Sequence, residues 1–97
     1  MPYNYEKDCE ICKVLSNINR LKILNSMKDK YLAVSEISKK TKLPQPVVSQ
    51  HLSIMKMKGL VESRKKGSFV YYKTKYKDLI KALKIIKNIR KQIQKNK

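Results

Sequence analysis

Pro44-Gln45-Pro46, Gly59 and Gly67-Ser68 punctuate the stretch from Ile37 to Tyr72 so closely that few architectures remain open to it. Proline is tolerated in the first turn of a helix, where its missing N–H would have had no partner. A helix therefore begins near Gln45 or Pro46 and not earlier. Gly59, a good residue just past a helix end, stops it. Between these limits Val48, Leu52 and Met55 recur at i, i+4 and i+7, which predicts a buried stripe. Beyond Gly59, residues 60–66 and 69–74 are rich in Val, Phe and Tyr and are joined across Gly67-Ser68, the pattern of a hairpin. Before Pro44, Val34, Ile37 and Leu43 mark a short helix from about Val34 to Thr41. Helix, tight turn, helix and two-stranded ribbon thus follow one another without a gap.

The flanks read as helices. Residues 1–8 are polar and aromatic and are expected to fray, with a first helix over 9–15. Asn17 or Asn19 offers a side-chain oxygen to cap a second helix, from about Arg20 to Met27, with Ile18, Leu21, Leu24 and Met27 at helical spacing. A long amphipathic helix is expected over 76–94, with Leu79, Leu83, Ile86, Ile89 and Ile93 on one stripe and lysines mostly on the other side. Such a helix could lie on a membrane surface, but it lacks Trp and Phe, and its near-heptad spacing favours a seam with another helix.

With 97 residues and a 41% hydrophobic fraction, the chain is expected to form one domain with a small core. The expected fold is mainly α with a small β-hairpin wing, a winged helix-turn-helix. Residues 34–58 form the helix-turn-helix and 60–74 the wing, with 9–15 and 76–94 as dimerisation helices. No segment is long and apolar enough to span a membrane, and the start of the chain lacks the apolar run of a signal peptide, so a cytoplasmic location is expected.

Charge narrows the partners. Lys and Arg number 24 against 7 acidic residues, a formal net charge of +17, which suits a polyanion: nucleic acid first, an anionic membrane surface second. Of the 24, 21 are Lys, and heavy Lys use also accompanies thermophilic surfaces and AT-rich genomes, so placement must decide. On the helix from Gln45 to Lys58, the residues not needed for the core are Gln45, Val47, Ser49, Gln50 and Ser53. They cluster near its N-terminus, where a helix lying in the major groove of DNA meets base edges. Gln can pair in two-pronged fashion with adenine, and Ser can donate to a base or a phosphate. The same residues would also suit an ordinary solvated helix face. Arg64, Lys65 and Lys66, with Ser68 across the turn, crowd like charges at the hairpin tip, which phosphates would relieve. Double-stranded DNA is therefore the expected partner. An enzyme is not expected, because there is one His, no clustered carboxylates in a plausible site and no Gly-rich phosphate loop.

From about Val14 to Thr74 the chain resembles the ArsR/SmtB family of small dimeric bacterial and archaeal repressors. The resemblance rests on LSNINRLKIL followed by VSEISKKTKLPQPVVSQHLSIMKMKGLVESRKKGSFVYYK. Its specific elements are Arg-Leu-x-Ile-Leu, Val-Ser-x-His-Leu in the recognition helix, Gly-Leu-Val and Val-Tyr-Tyr in the wing. It implies a homodimer built from the first and last helices, two recognition helices in successive major grooves, and Gln45, Ser49 and Gln50 at positions that usually contact bases or backbone. Pro44 and Pro46 stand where such families often have Ser.

Many members of that family hold a metal through a Cys-x-Cys pair before the recognition helix, where this chain has Ala33 and Ser35. Others use Asp and His on the last helix, where this chain has Asp78 and no His. One carboxylate cannot hold a transition metal with useful affinity, so neither metal site is expected and no cofactor is. His51, the single histidine, lacks ligand partners at suitable spacing and is expected to face the core or bond backbone at the helix junction. Cys9 and Cys12 stay open to three readings: a redox-active or disulfide-forming pair, half of a four-thiolate site shared across a dimer, or two small apolar residues buried against the dimer partner. Neither a promoter nor a small-molecule effector follows from these residues.

Overall fold

The computed structural model describes residues 2–97. Eight elements follow in order: α1 (Tyr5–Leu15), α2 (Ile18–Met27), β1 (Leu32–Ala33), α3 (Val34–Thr41), α4 (Gln45–Met57), β2 (Val61–Lys66), β3 (Phe69–Thr74) and α5 (Lys77–Lys95). The first helix begins at Tyr5, so of the fraying expected over 1–8 the part over 5–8 gives way to helix, while residue 1 lies outside the described residues. The reason is local: the Asn4 side chain accepts from the Lys7 N–H at 3.2 Å, and Glu6 and Asp8 place negative charge on the first turn. In α2 the cap is Asn17, which accepts from the Arg20 N–H at 3.1 Å, so the helix starts at Ile18, earlier than expected. Ile18 itself is 74% exposed, and it is Ile23, Leu24 and Met27 that face the core.

The helix α4 follows its punctuation. Pro44 precedes it, Pro46 lies in its first turn, and Val48, Leu52 and Met55 are fully buried. Burying each such side chain contributes roughly 1.5–3 kcal/mol. At its end Leu60 N–H donates to Met55 O at 2.9 Å and Gly59 N–H to Lys56 O at 3.0 Å, the two bonds of a Schellman cap. Gly59 at φ 82° supplies the left-handed residue that this cap requires.

A three-stranded antiparallel sheet replaces the expected two-stranded hairpin, with order β1-β3-β2. The added strand β1 pairs Leu32 with Tyr72 and Ala33 with Tyr71. In the hairpin Val61 pairs with Thr74 and Lys66 with Phe69. Gly67 turns at φ 63° and Ser68 does not follow it into positive φ, the type II′ pattern that suits a twisted ribbon. Because side chains alternate across a strand, Leu32, Val61 and Thr74 go inward, and Tyr72 packs on the core. Glu62, Arg64 and Lys66 share the outer face with Phe69, Tyr71 and Lys73.

The core joins Val14 of α1, Ile23, Leu24 and Met27 of α2, Ile37 of α3 and the α4 stripe to Leu32, Leu60 and Val61. Leu79 and Leu83 of α5 pack at its margin. Farther along α5, Ile85, Ile86, Ile89 and Ile93 are 48–58% exposed. No helix of the described residues is long and apolar enough to cross a membrane.

Candidate nucleic-acid interface

The core contacts of α4 decide which of its side chains remain free. With Val48, Leu52 and Met55 turned inward, Gln45, Ser49, Gln50 and Ser53 stand exposed, while Val47 is half-buried. The turn before α4 is held by α3: Ser38 Oγ donates to Leu43 O, Thr41 Oγ1 donates to Ile37 O at 2.7 Å, and Lys42 takes a left-handed φ of 61°. These bonds fix the angle at which α4 leaves α3. At the ribbon, Arg64, Lys65, Lys66 and Ser68 are exposed beside Gly67. Among the described residues the one ion pair is Lys73 with Glu62, at 3.5 Å, so Lys65 and Lys66 carry uncompensated charge.

Arg64 is less free than its charge suggests. Its guanidinium lies 4.8 Å from the centre of the Tyr31 ring, and Lys73 Nζ lies 4.9 Å from the same ring. The Tyr31 hydroxyl donates to Glu62 Oε1 at 2.9 Å, and this bond, with Lys73 nearby, holds the Glu62 carboxyl below its ordinary range. Register explains the cluster: Lys73 pairs with Glu62, and Tyr31 immediately precedes β1 on the other side of β3. One row of side chains thus crosses the sheet at the base of the ribbon. Tyr31 escaped the sequence reading because the row depends on a two-residue strand with no periodic signal of its own. Lys56, on α4, donates to Ser63 Oγ at 2.7 Å and ties the helix to β2.

His51 requires a correction. It sits half-buried at the helix junction, but it neither faces the core nor bonds backbone; its Nδ1 accepts from Arg20 Nε at 3.2 Å. Arg20 also donates through Nη1 to Val14 O at 3.2 Å, so one guanidinium joins α1, α2 and α4. Partial burial and the adjacent Arg20 charge both lower the His51 pKa, because each disfavours the imidazolium. Cys9 and Cys12 are both free and exposed on α1 in the single chain. Among the described residues no group of three or more His, Cys, Asp and Glu could hold a metal ion.

Three helices with a tight turn before α4, and a basic β2-β3 ribbon after it that β1 completes as a three-stranded sheet, define a winged helix-turn-helix, the architecture of DNA-binding domains. A family model for bacterial regulatory proteins of the arsR family matches residues 17–63, and the chain belongs to that family of transcriptional regulators. It is 38% identical over 72 residues to the transcriptional activator HlyU of Vibrio cholerae, covering 74% of this chain and 67% of that one. It is 44% identical over 68 residues to the transcriptional repressor PagR of Bacillus anthracis, covering 69% and 68%. The homodimeric winged helix-turn-helix DNA-binding domain Mb0332 of Mycobacterium bovis superposes with a TM-score of 0.82 at 25% identity, over 96% of this chain and 86% of that one.

Proposed function

We propose that this ArsR-family regulator reads a specific operator as a homodimer and represses the gene it overlies. The observation that carries the reading is the exposed quartet Gln45, Ser49, Gln50 and Ser53 on α4, together with the uncompensated cations of the wing that follows it. In this reading 1–97 acts as one DNA-binding domain, with Val47 adding an apolar contact. Gln45, Ser49, Gln50 and Ser53 meet base edges and backbone in the major groove, each good two-pronged contact contributing about 1–3 kcal/mol of discrimination. Arg64, Lys65, Lys66 and Ser68 meet phosphates and set the register. Repression follows from occupancy: a dimer seated on promoter DNA excludes other proteins from it. One relative is named an activator and another a repressor, so the sign of the effect is part of the test.

The proposed dimer uses α1 and α5. Leu79 and Leu83 continue the core, and Ile86, Ile89 and Ile93 extend the same helix with apolar surface that water leaves unsatisfied. Leu21 of α2 joins Ile80, Leu83 and Ile86 in an apolar groove beside α5, a seat for a partner helix. Cys9 and Cys12 lie three positions apart on α1, so oxidation of this pair would alter the packing that spaces the two reading heads.

Fluorescence anisotropy with the chain's own upstream DNA and a shuffled duplex, at two salt concentrations, tests the reading. The expected result is a preference of about 100-fold, or about 2.7 kcal/mol, that survives the higher salt. Equal binding that collapses with salt would favour a second reading, a low-specificity DNA-coating protein, for which the +17 net charge is the supporting observation. A reporter behind the bound DNA then distinguishes repression from activation, and repeating the titration with and without reductant tests the thiols.

A further inference from the structure

The chain's single Phe stands at the least sheltered point of the sheet. Phe69 opens β3 directly after the Gly67-Ser68 turn, and the residue is 60% exposed. Nothing in the core calls for it there: the inward side chains of β3 are Tyr72 and Thr74, and the residue opposite Phe69 in the ladder is Lys66. Tyr71, two residues on, backs it on the same face, with ring centroids 6.5 Å apart and planes tilted by 52°. On the opposite face Val70 pairs with Lys65 and is itself 39% exposed. The tip is therefore apolar on both faces and flanked by cations.

We propose that Phe69 is an apolar wedge which the wing sets into the minor groove of duplex DNA, unstacking or opening the base step that it meets. The inference rests on the operator reading above and adds to it a residue that carries no charge and makes no hydrogen bond. Charge complementarity selects the occupant. Whatever covers Phe69 must offer apolar surface beside negative charge, because Lys66 stands opposite it in the ladder and Lys65 is next along the same strand, neither with a carboxylate partner among the described residues. The minor groove has that form: sugar walls and stacked base steps give apolar surface between phosphate rails, and apolar side chains are known to enter it there. Side chains such as Phe that enter it partly unstack a step and bend the duplex, so preference arises from how readily the sequence deforms. The row of Tyr31, Lys73 and Glu62, with Arg64 over the Tyr31 ring, braces the base of the ribbon and lets the tip transmit force to the duplex.

The test compares wild-type protein with Phe69→Ala on the chain's own upstream duplex, measuring affinity across a salt series and duplex bending by end-to-end energy transfer. Phe69 is exposed, so the variant is expected to fold, and its melting temperature checks this. Phe69→Ala is expected to lose about tenfold in affinity, or about 1.4 kcal/mol, with an unchanged salt slope and a smaller bend. Equal affinity and equal bending for the two proteins would overturn the wedge while leaving the operator reading intact. A loss accompanied by a flatter salt slope would also overturn it, since Phe69 would then act by placing the lysines. Equal affinity and bending, with co-sedimentation on phosphatidylglycerol vesicles measured in parallel and lost in Phe69→Ala, would overturn the wedge and assign the tip to a membrane surface instead. Wild-type protein that bound no duplex would sink the operator reading and this inference together.

Discussion

Single side chains at the junction of α1, α2 and α4 connect the fold to pH. His51 Nδ1 can accept from Arg20 only while the imidazole is neutral; protonation removes the acceptor and sets two cations side by side. The folded pKa lies below the ordinary 6.5, so between the two values the unfolded chain binds more protons than the folded one. The stability contributed by this contact is thus fully present above about pH 6.5 and is lost as pH falls through the folded value. Melting temperatures from pH 7.5 to pH 5 should fall for the wild type, and His51→Gln, whose amide oxygen accepts from Arg20 at any pH, should remove part of that fall. Parallel curves for the two proteins would show that His51 does not titrate with folding. Spacing could not have exposed this pair, because Arg20 and His51 are 31 residues apart and meet only after both helices dock.

At the scale of elements, legibility followed the reach of the signal. The helix α4 was readable throughout: Pro46 and Gly59 bound it, and the i, i+4, i+7 stripe is the set that the core buries completely. The wing strands were readable from their Val, Phe and Tyr content and from Gly67. Two-residue β1 was not, since its only support is a ladder to β3, which begins 36 residues after Ala33. The start of α1 was missed because its signal is one polar cap, Asn4, with no apolar period behind it. Exposure of the candidate contacts follows from the same periods, whereas their DNA roles rest on surface chemistry and are separable by experiment. Gln50→Ala should weaken operator binding more than binding to random duplex, by about 1–3 kcal/mol. Lys65→Ala with Lys66→Ala should instead weaken both alike and reduce the salt slope by roughly 2. If Gln50→Ala lowered both duplexes equally, it would leave the base-reading set, and an unchanged slope in the double variant would remove the wing from the phosphates.

For the whole molecule the unresolved tension is α5, a 19-residue helix with no buried residue. Its first half is held by Leu79 and Leu83 against the core, but the turns beyond carry Ile86, Ile89 and Ile93 into water. Helices draw most of their stability from packing an apolar face, so those turns are weakly supported in a single chain and gain from a second copy. The same surface carries Lys84, Lys87 and Arg90, and a proposed dimer would bring together two chains of +17, so association must rest on apolar burial working against repulsion. Salt should therefore act in opposite directions on the two equilibria: it screens repulsion between protomers and weakens their grip on phosphate. Ile86→Lys with Ile89→Lys removes the apolar gain at positions that the chain's own core does not use. Sedimentation equilibrium should find the wild type dimeric, and more so as salt rises, with the double variant monomeric and its melting transition only modestly lower. Operator affinity should fall in the variant by more than tenfold at fixed salt, because one recognition helix then binds without its neighbour. A double variant that remained dimeric would move the interface off this stripe. A monomeric variant that held the operator as tightly as the wild type would show that one copy of α4 and its wing is enough.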